Sequence, residues 1–134
     1  MDWNPLLAAA RRARTHAYAP YSGYRVAAAL LTGDGTVVTG VNVENGLLTL
    51  GVCAERQAVG SAIAAGHREF VALVVVTESS PPARPCGLCR QTLVEFVDDL
   101  PILCANEQGE QEETRLTELL PAAFRLADAR PTPE

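Results

Sequence analysis

The central stretch of the sequence, residues 53–77, reads CAERQAVGSAIAAGHREFVALVVVT. Its first half, Ala54 to Ala65, is rich in alanine, the residue with the highest helix propensity. Gly66 follows, and glycine readily takes the left-handed conformation that ends helices. The second half, Phe70 to Thr77, is apolar and β-branched, as in strands that are covered on both faces. This stretch therefore predicts a helix that leads into a central strand of an α/β protein.

On the N-terminal side, the sequence predicts a helix followed by a β-hairpin. Asn4 suits the N-cap position and Pro5 the first helical position, and the helix should end before Pro20. Gly33-Asp34-Gly35 forms a glycine-permissive turn between two runs that read as strands, residues 26–32 and 36–43.

On the C-terminal side, two more helices and two more strands are expected. The helices cover about residues 86–97 and a few residues after Thr117, and the strands cover 102–105 and 112–116, the latter at an edge. Helices that connect strands by right-handed crossovers cover both faces of a sheet. The predicted fold is a three-layer α/β/α sandwich with a mixed five-stranded sheet. It forms a single domain over residues 1–127, and residues 128–134 form a frayed tail.

Composition and charge exclude several classes of protein. The chain has 134 residues, 48% hydrophobic and 20% charged, which suits one folded domain and excludes a wholly disordered chain. Its formal net charge is −5 and it contains no lysine, which disfavours nucleic acid and anionic membranes as partners. The longest apolar run, Phe70 to Val76, is too short to cross a bilayer. Asp2 stands where a secretory signal would be basic, so a cytoplasmic location with reduced cysteines is expected.

The cysteines point to a metal site. Cys86 and Cys89 form a C-x-x-C motif at the start of a predicted helix, which taken alone fits a zinc site, a redox dithiol or core residues. Cys53 opens the preceding helix. Since both helices should begin at the carboxyl edge of the sheet, the three thiols are expected to lie together. Three protein ligands leave the fourth position of zinc open, as in catalytic sites.

Cys104 offers the alternative of a closed structural site with four thiolates. It lies in a short apolar strand, however, where a free cysteine is commonly a small buried hydrophobe. His16 and His67 follow helices and are expected on the surface rather than on the metal.

Glu55 makes this metal site a candidate for catalysis. Taken singly, a glutamate in the first turn of a helix is simply favourable with the helix dipole. Cys53-Ala54-Glu55 combined with Pro85-Cys86-Gly87-Leu88-Cys89, however, is the all-cysteine form of the zinc deaminase pattern. In that pattern the glutamate is the general acid and base, and it is not a metal ligand.

Five stretches together resemble the cytidine deaminase family, in its short homotetrameric branch. They are AYAPYS (17–22), VNVEN (41–45), CAER (53–56), PCGLCRQ (85–91) and LLPAAF (119–124), and the resemblance runs from about residue 6 to residue 124. It implies a cytidine deaminase-like fold in which Cys53, Cys86 and Cys89 hold one Zn²⁺ and Glu55 carries protons. Arg56 matches the arginine that hydrogen-bonds the thiolates and offsets their charge, with a solvated helix arginine as the alternative. The implied reaction is hydrolytic deamination of cytidine and 2′-deoxycytidine to the uridines, with release of ammonia.

The resemblance also assigns the residues around the substrate. Asn42 and Glu44 match the pair that binds the ribose hydroxyls, with stabilisation of the adjacent turn as the alternative. Ala54 and Tyr24 match substrate contacts. Phe124 matches the aromatic residue that closes over the base from a neighbouring subunit. The expected partners are a pyrimidine nucleoside and further copies of the chain, in a homotetramer with shared active sites.

The sequence departs from the family at three places near the substrate. Tyr24 stands where Phe is usual, and Ala27 stands where Gly is common. Gly46-Leu47-Leu48 replaces a segment that is usually rich in Ala and Ser, and that approaches the 5′ side of the ribose and a subunit interface in relatives.

Three other functions fit parts of the pattern. Deaminases of other cytosine nucleosides, such as the blasticidin type, tend to lack the pair that is present here as Asn42 and Glu44. A polynucleotide-editing deaminase is disfavoured by the net charge of −5. A catalytically silent module stabilised by zinc has no use for Glu55 or for an open ligand position.

Overall fold

The computed structural model describes residues 1–129, which form five strands and five α-helices. The helices are α1 (Asn4–Arg14), α2 (Ala54–Ala64), α3 (Gly87–Val94), α4 (Leu116–Leu119) and α5 (Leu126–Ala129), with a short 3-10 helix at Leu48–Leu50. The strands are β1 (Ala27–Thr32), β2 (Val37–Val41), β3 (Phe70–Thr77), β4 (Pro101–Asn106) and β5 (Gln111–Arg115). Within the described part of the chain, no helix is long and apolar enough to cross a membrane.

The strands form one mixed sheet in the order β2-β1-β3-β4-β5, so the predicted five-stranded sheet is confirmed. β1 pairs antiparallel with both β2 and β3, which means that β2 and β3 run in the same direction. β3 and β4 are parallel, and β5 is an antiparallel edge strand. As a result, α2 after β2 and α3 after β3 both begin at the same carboxyl edge of the sheet.

Alternate residues of the central strand face two separate hydrophobic layers. Ala72, Val74 and Val76 of β3 pack with residues of α1, whereas Leu73 and Val75 pack with residues of α2 and α3. β3 is buried along almost its whole length, because helices cover both of its faces. The predicted three-layer sandwich is therefore confirmed.

The start of α1 differs from the prediction. Asn4 is the first helical residue and not the N-cap, and no side chain caps the helix in the usual way. The Asp2 carboxylate instead accepts a hydrogen bond from the Asn4 backbone N–H at 3.0 Å. Both Asp2 and Asn4 are residue types that suit an N-cap. Here Asp2 accepts the backbone N–H of Asn4, and Asn4 is part of the helix.

Other element ends differ by a few residues. α3 ends at Val94, three residues earlier than predicted, and neither the 3-10 helix nor α5 was predicted. Gly66 has a φ of +95° just after α2, as expected for a helix terminator. Of the predicted tail, residues 128 and 129 belong to α5, and residues 130–134 lie outside the described part of the chain.

Gly40 lets β2 lie directly against α2. A Cβ atom at this position would lie 2.4 Å from the Ala54 carbonyl oxygen and 2.5 Å from the Ala58 backbone nitrogen. Only glycine permits this approach between a strand and a helix backbone. The first turn of α2, which carries Glu55, is therefore held against the sheet.

Candidate active site

Three thiols lie together at the carboxyl edge of the sheet, as the topology predicts. Cys53 is the N-cap residue of α2, Cys86 is the N-cap residue of α3, and Cys89 lies in the first turn of α3. The Sγ atoms of Cys53 and Cys86 are 3.7 Å apart, and those of Cys86 and Cys89 are 3.5 Å apart. All three sulfur atoms lie within 4.8 Å of one another. This is the one group of three or more potential metal ligands among residues 1–129.

The donor set fits zinc. Thiolates are soft ligands that select zinc over magnesium or calcium, and three of them leave one tetrahedral position free. Hydrogen bonds from the thiols of Cys89 and Cys86, together with the nearby Arg56 guanidinium, lower the pKa of Cys53 to about 5 against the opposing effect of burial. The positive ends of α2 and α3 also favour negative charge at this point. Cys53 is thus placed where its thiol ionises easily, whereas the hydrogen bond with Cys53 and burial raise the pKa of the Cys89 thiol.

Cys104 is not part of this cluster. It lies on β4, is fully buried, and packs with the hydrophobic layer between the sheet and α2. Burial raises the pKa of its thiol to about 11, so it stays neutral. The closed site with four thiolates is therefore the wrong alternative.

The two histidines are also remote from the cluster. His16 is exposed after α1, as predicted. His67 is partly buried, with 21% of its side chain exposed, and its Nδ1 lies 3.8 Å from a carboxylate oxygen of Asp34. The expectation that His67 lies on the open surface was thus only partly correct, because the hairpin turn that carries Asp34 packs beside it.

The position of Cys104 leads to a testable expectation. Cys104→Ala should keep the zinc content of the wild-type protein, since this thiol does not reach the metal, and should cost about 1 kcal/mol of stability for the lost core contact. Cys89→Ala is the matched control with the same chemical change, and it should lose zinc. Metal analysis of both purified variants makes the comparison. Loss of zinc in Cys104→Ala would restore the closed site as an explanation.

Glu55 is buried beside the thiols. It stands in the first turn of α2, its residue is only 5% exposed, and it lines the same cavity as Cys53 and Cys86. Burial raises the pKa of its carboxyl group above the ordinary value. A carboxyl group whose pKa is moved toward neutrality is suited to accept and return a proton.

A cavity of about 330 Å³ opens over these residues. It brings together most of the predicted site residues, namely Tyr24, Asn42, Glu44, Cys53, Ala54, Glu55 and Cys86. Its volume lies at the lower end of the range for small-molecule sites. Phe124 does not line it: its side chain is exposed, and its carbonyl oxygen accepts a hydrogen bond from Gln91 Nε2 at 2.8 Å.

Asn42 and Glu44 face the cavity and also hold the segment before β1. Asn42 Oδ1 accepts the Val26 backbone N–H at 2.9 Å, and Asn42 Nδ2 donates to the Tyr24 carbonyl at 2.7 Å. The Glu44 carboxylate accepts the backbone N–H groups of Tyr21 and Ser22 and the Ser22 hydroxyl. The Ser22 hydroxyl and these amides lower the pKa of Glu44. Hydrogen bonds within the chain therefore hold both side chains in one wall of the cavity, independently of any bound molecule.

Arg56 is a partly buried residue and not a solvated one. Its Nη2 donates to the Gly51 carbonyl oxygen at 3.2 Å, and its positive charge helps to lower the pKa of Cys53. Its Nε is buried and has no hydrogen-bond partner among residues 1–129. A buried N–H group beside a cluster of thiols is suited to donate to a thiolate.

Some residues of the cavity were not anticipated. Thr77, Ala83 and Arg84 line it, all from the end of β3 and the loop that leads to Cys86. Arg84 forms an ion pair with Glu112. In the sequence, only proximity to the C-x-x-C motif suggests that these three residues line the cavity. A proline-rich loop has no periodicity from which the directions of its side chains could be predicted.

Comparison with known proteins agrees with this geometry. Residues 3–104 match the family model described as the cytidine and deoxycytidylate deaminase zinc-binding region. The cytidine deaminase of Sporosarcina psychrophila is 44% identical over 96% of this chain and 95% of its own length. That of Mycobacterium tuberculosis H37Rv is 40% identical over 96% of this chain and 93% of its own length.

The fold is shared with solved structures as well. The 1.6 Å crystal structure of cytidine deaminase from Burkholderia pseudomallei is 48% identical and superposes with a TM-score of 0.89, covering 92% of this chain and 100% of that one. The cytidine deaminase structure from Mycobacterium leprae is 37% identical, with a TM-score of 0.77 over 90% of this chain and 98% of that one. With its Cys53, Cys86 and Cys89 zinc site at the edge of this sheet, the chain belongs to the cytidine deaminase family.

Proposed function

We propose that this protein is a zinc-dependent cytidine deaminase that converts cytidine and 2′-deoxycytidine to uridine and 2′-deoxyuridine with release of ammonia. The observation that carries the proposal is the buried carboxyl group of Glu55, which shares a cavity with the thiols of Cys53 and Cys86. A purely structural metal site has no need of a buried acid in a cavity open to solvent.

Glu55 carries the proton chemistry of the reaction. Cys53, Cys86 and Cys89 would hold Zn²⁺, which would lower the pKa of water and so supply a nucleophile near neutral pH. As the oxygen of a water molecule adds to C4 of the pyrimidine, Glu55 takes one proton of that water and delivers it to N3. Glu55 then moves the second proton to the amino group at C4, the C4–N bond breaks, and ammonia leaves. Both transfers need a carboxyl group that changes protonation state easily, which burial of Glu55 favours.

Arg56 adjusts the charge of the site. Three thiolates and one Zn²⁺ sum to a charge of −1, which weakens the metal as a Lewis acid. The Arg56 guanidinium beside Cys53 offsets this charge, and its buried Nε–H, which has no hydrogen-bond partner among residues 1–129, is available to donate to a sulfur atom. Arg56 therefore acts on the reaction through the thiolates.

Asn42 and Glu44 leave room for one or two sugar hydroxyls. Asn42 uses one N–H and one acceptor site within the chain, and Glu44 accepts three hydrogen bonds. One donor and one acceptor site on Asn42 and one acceptor site on Glu44 remain, by the usual capacity of these groups. The negative charge of Glu44 also repels a phosphate group. A neutral nucleoside therefore suits this wall better than a nucleotide.

We also propose a homotetramer with shared active sites and a cytoplasmic location. Several large apolar side chains are exposed in the single chain, and this is typical of surfaces that other subunits cover: Leu47, Leu48, Leu50, Leu88 and Phe124. Phe124 then supplies its ring to the cavity of a neighbouring copy. All four cysteines are free, which suits a reducing compartment.

An activity assay on the purified protein tests the proposal directly. We expect about one zinc per chain, and conversion of cytidine to uridine with release of an equal amount of ammonia. Cytidine 5′-monophosphate is the matched comparison, and it should react much more slowly because of Glu44. A protein that holds zinc but leaves both cytidine and 2′-deoxycytidine unchanged would contradict the proposed function and favour a silent zinc module.

A further inference from the structure

One wall of the cavity is held by a hydrogen bond to a residue outside the cavity. Tyr24 lines the cavity and is partly buried, and its hydroxyl is 2.5 Å from the Ser79 hydroxyl. Ser79 lies in the loop between β3 and α3, the loop that ends at Cys86, and it is not among the residues that line the cavity. The hydroxyl of Ser79 would therefore act on a bound molecule through Tyr24.

Ser79 is itself fixed to the sheet. Its backbone N–H donates to the Thr77 hydroxyl at 3.3 Å, and its carbonyl oxygen accepts Asn106 Nδ2 at 3.0 Å. Asn106 is fully buried at the end of β4, and its Oδ1 accepts the backbone N–H groups of Gln108 and Glu110. Hydrogen bonds on both sides of its backbone thus hold Ser79 in place at the end of the sheet.

The main chain of Tyr24 is held from the other side. Its backbone N–H donates to the Ser22 hydroxyl oxygen at 3.0 Å, and the Ser22 hydroxyl in turn donates to Glu44. Its carbonyl oxygen accepts Asn42 Nδ2. Hydrogen bonds therefore hold both ends of Tyr24, with the Asn42–Glu44 wall at its backbone and Ser79 at the tip of its ring.

From this arrangement we propose that Ser79 is a positioning residue for nucleoside binding, whose hydroxyl fixes the Tyr24 ring in place as a wall of the cavity. The inference rests on the proposed function and extends it to the loop before Cys86. A ring that is held before the substrate arrives loses less conformational entropy when the substrate binds. Neither hydroxyl reaches the thiols or Glu55 in the described structure, so the contribution belongs to binding and not to proton transfer.

Kinetics of single and double variants test the proposal. Ser79→Ala and Tyr24→Phe should each raise KM for cytidine about three- to ten-fold, the value of one hydrogen bond, with kcat and zinc content unchanged. The double variant should be no worse than either single variant, because both remove the same bond. Ser79→Thr keeps a hydroxyl and should restore KM. Ser80→Ala is the matched control, since the Ser80 hydroxyl donates to Glu110 and Ser80 does not line the cavity.

Three results would overturn the proposal: additive effects of the two substitutions on KM, an effect of Ser79→Ala on kcat alone, or no difference between Ser79→Ala and Ser80→Ala. A second readout does not depend on turnover. Urea unfolding of the same zinc-loaded variants measures the coupling between Tyr24 and Ser79, and its absence also overturns the proposal. Failure of the wild-type protein to deaminate cytidine would instead overturn the proposed function, and the unfolding cycle would still decide whether the two hydroxyls are coupled.

Discussion

Glu55→Gln should lower kcat for cytidine by about 10²- to 10⁴-fold and leave the zinc content unchanged. Glutamine has nearly the same shape and can fill the same buried space, but it cannot take a proton from water or return one to N3 and to the leaving amino group. Because Glu55 is only 5% exposed, a water molecule has little room to replace its carboxyl group. Steady-state kinetics and metal analysis on one preparation measure both quantities.

The control for this variant is Glu95→Gln, the same chemical change at an exposed position at the end of α3. It should leave kcat, KM and zinc content unchanged. A Glu55→Gln protein that retains the wild-type kcat would remove Glu55 from the mechanism. Loss of zinc in Glu55→Gln would show instead that the carboxyl group supports the metal site, and the assignment of Glu55 as proton carrier would then lack its evidence.

Gly40→Ala is expected to have the largest effect on stability. The new Cβ would lie 2.4 Å from the Ala54 carbonyl oxygen and 2.5 Å from the Ala58 nitrogen, both of them backbone atoms that no side-chain rotation can move. We expect a loss of about 3 kcal/mol in the free energy of unfolding, at the upper end of overpacking costs. Since Ala54 adjoins Cys53 and Glu55, the shift of α2 should also lower kcat. Urea unfolding and the cytidine assay measure the two effects.

Gly60→Ala is the matched control, because it adds the same methyl group to the middle of α2. Apart from neighbouring residues and the backbone of α2 itself, no heavy atom of residues 1–129 lies within 4 Å of a Cβ built at Gly60. Alanine is favoured over glycine inside a helix, so this variant should be more stable by about 0.5–1 kcal/mol. If Gly40→Ala and the wild-type protein had the same free energy of unfolding, β2 and α2 would be able to move apart without a loss of stability.

The sequence predicts most accurately the bounds of an element that is buried along its whole length. The predicted bounds of β3, Phe70 to Thr77, are those of the structure, because a strand covered on both faces is apolar along its whole length. The predicted start of α1 was wrong by one residue, because the Asp2 carboxylate accepts the Asn4 backbone N–H and the helix begins at Asn4 instead of after it. The exposed 3-10 helix at Leu48–Leu50 has no such pattern, and its leucines face outward.

The metal site could also be predicted from the residues themselves. Spacing places Cys86 and Cys89 on one helical turn, and topology brings Cys53 beside them. The roles of Asn42 and Glu44 depended on the family resemblance, since short polar motifs at a strand end are common. The contribution of Ser79 could not be predicted, because its contact with Tyr24 joins residues 55 positions apart through an irregular loop.

The zinc ligands also shape the folding equilibrium of the chain. Cys53 and Cys86 are 33 residues apart, and one ion bound to both closes the intervening chain into a ring, as a disulfide would. By the entropy of such a ring, a permanent link of this span restricts the unfolded chain by about 4 kcal/mol. A chelator should therefore lower the melting temperature as well as stop turnover, and it should loosen α2 and α3 before α1, which packs on the opposite face. The ion that serves the reaction is also a removable cross-link between the starts of α2 and α3.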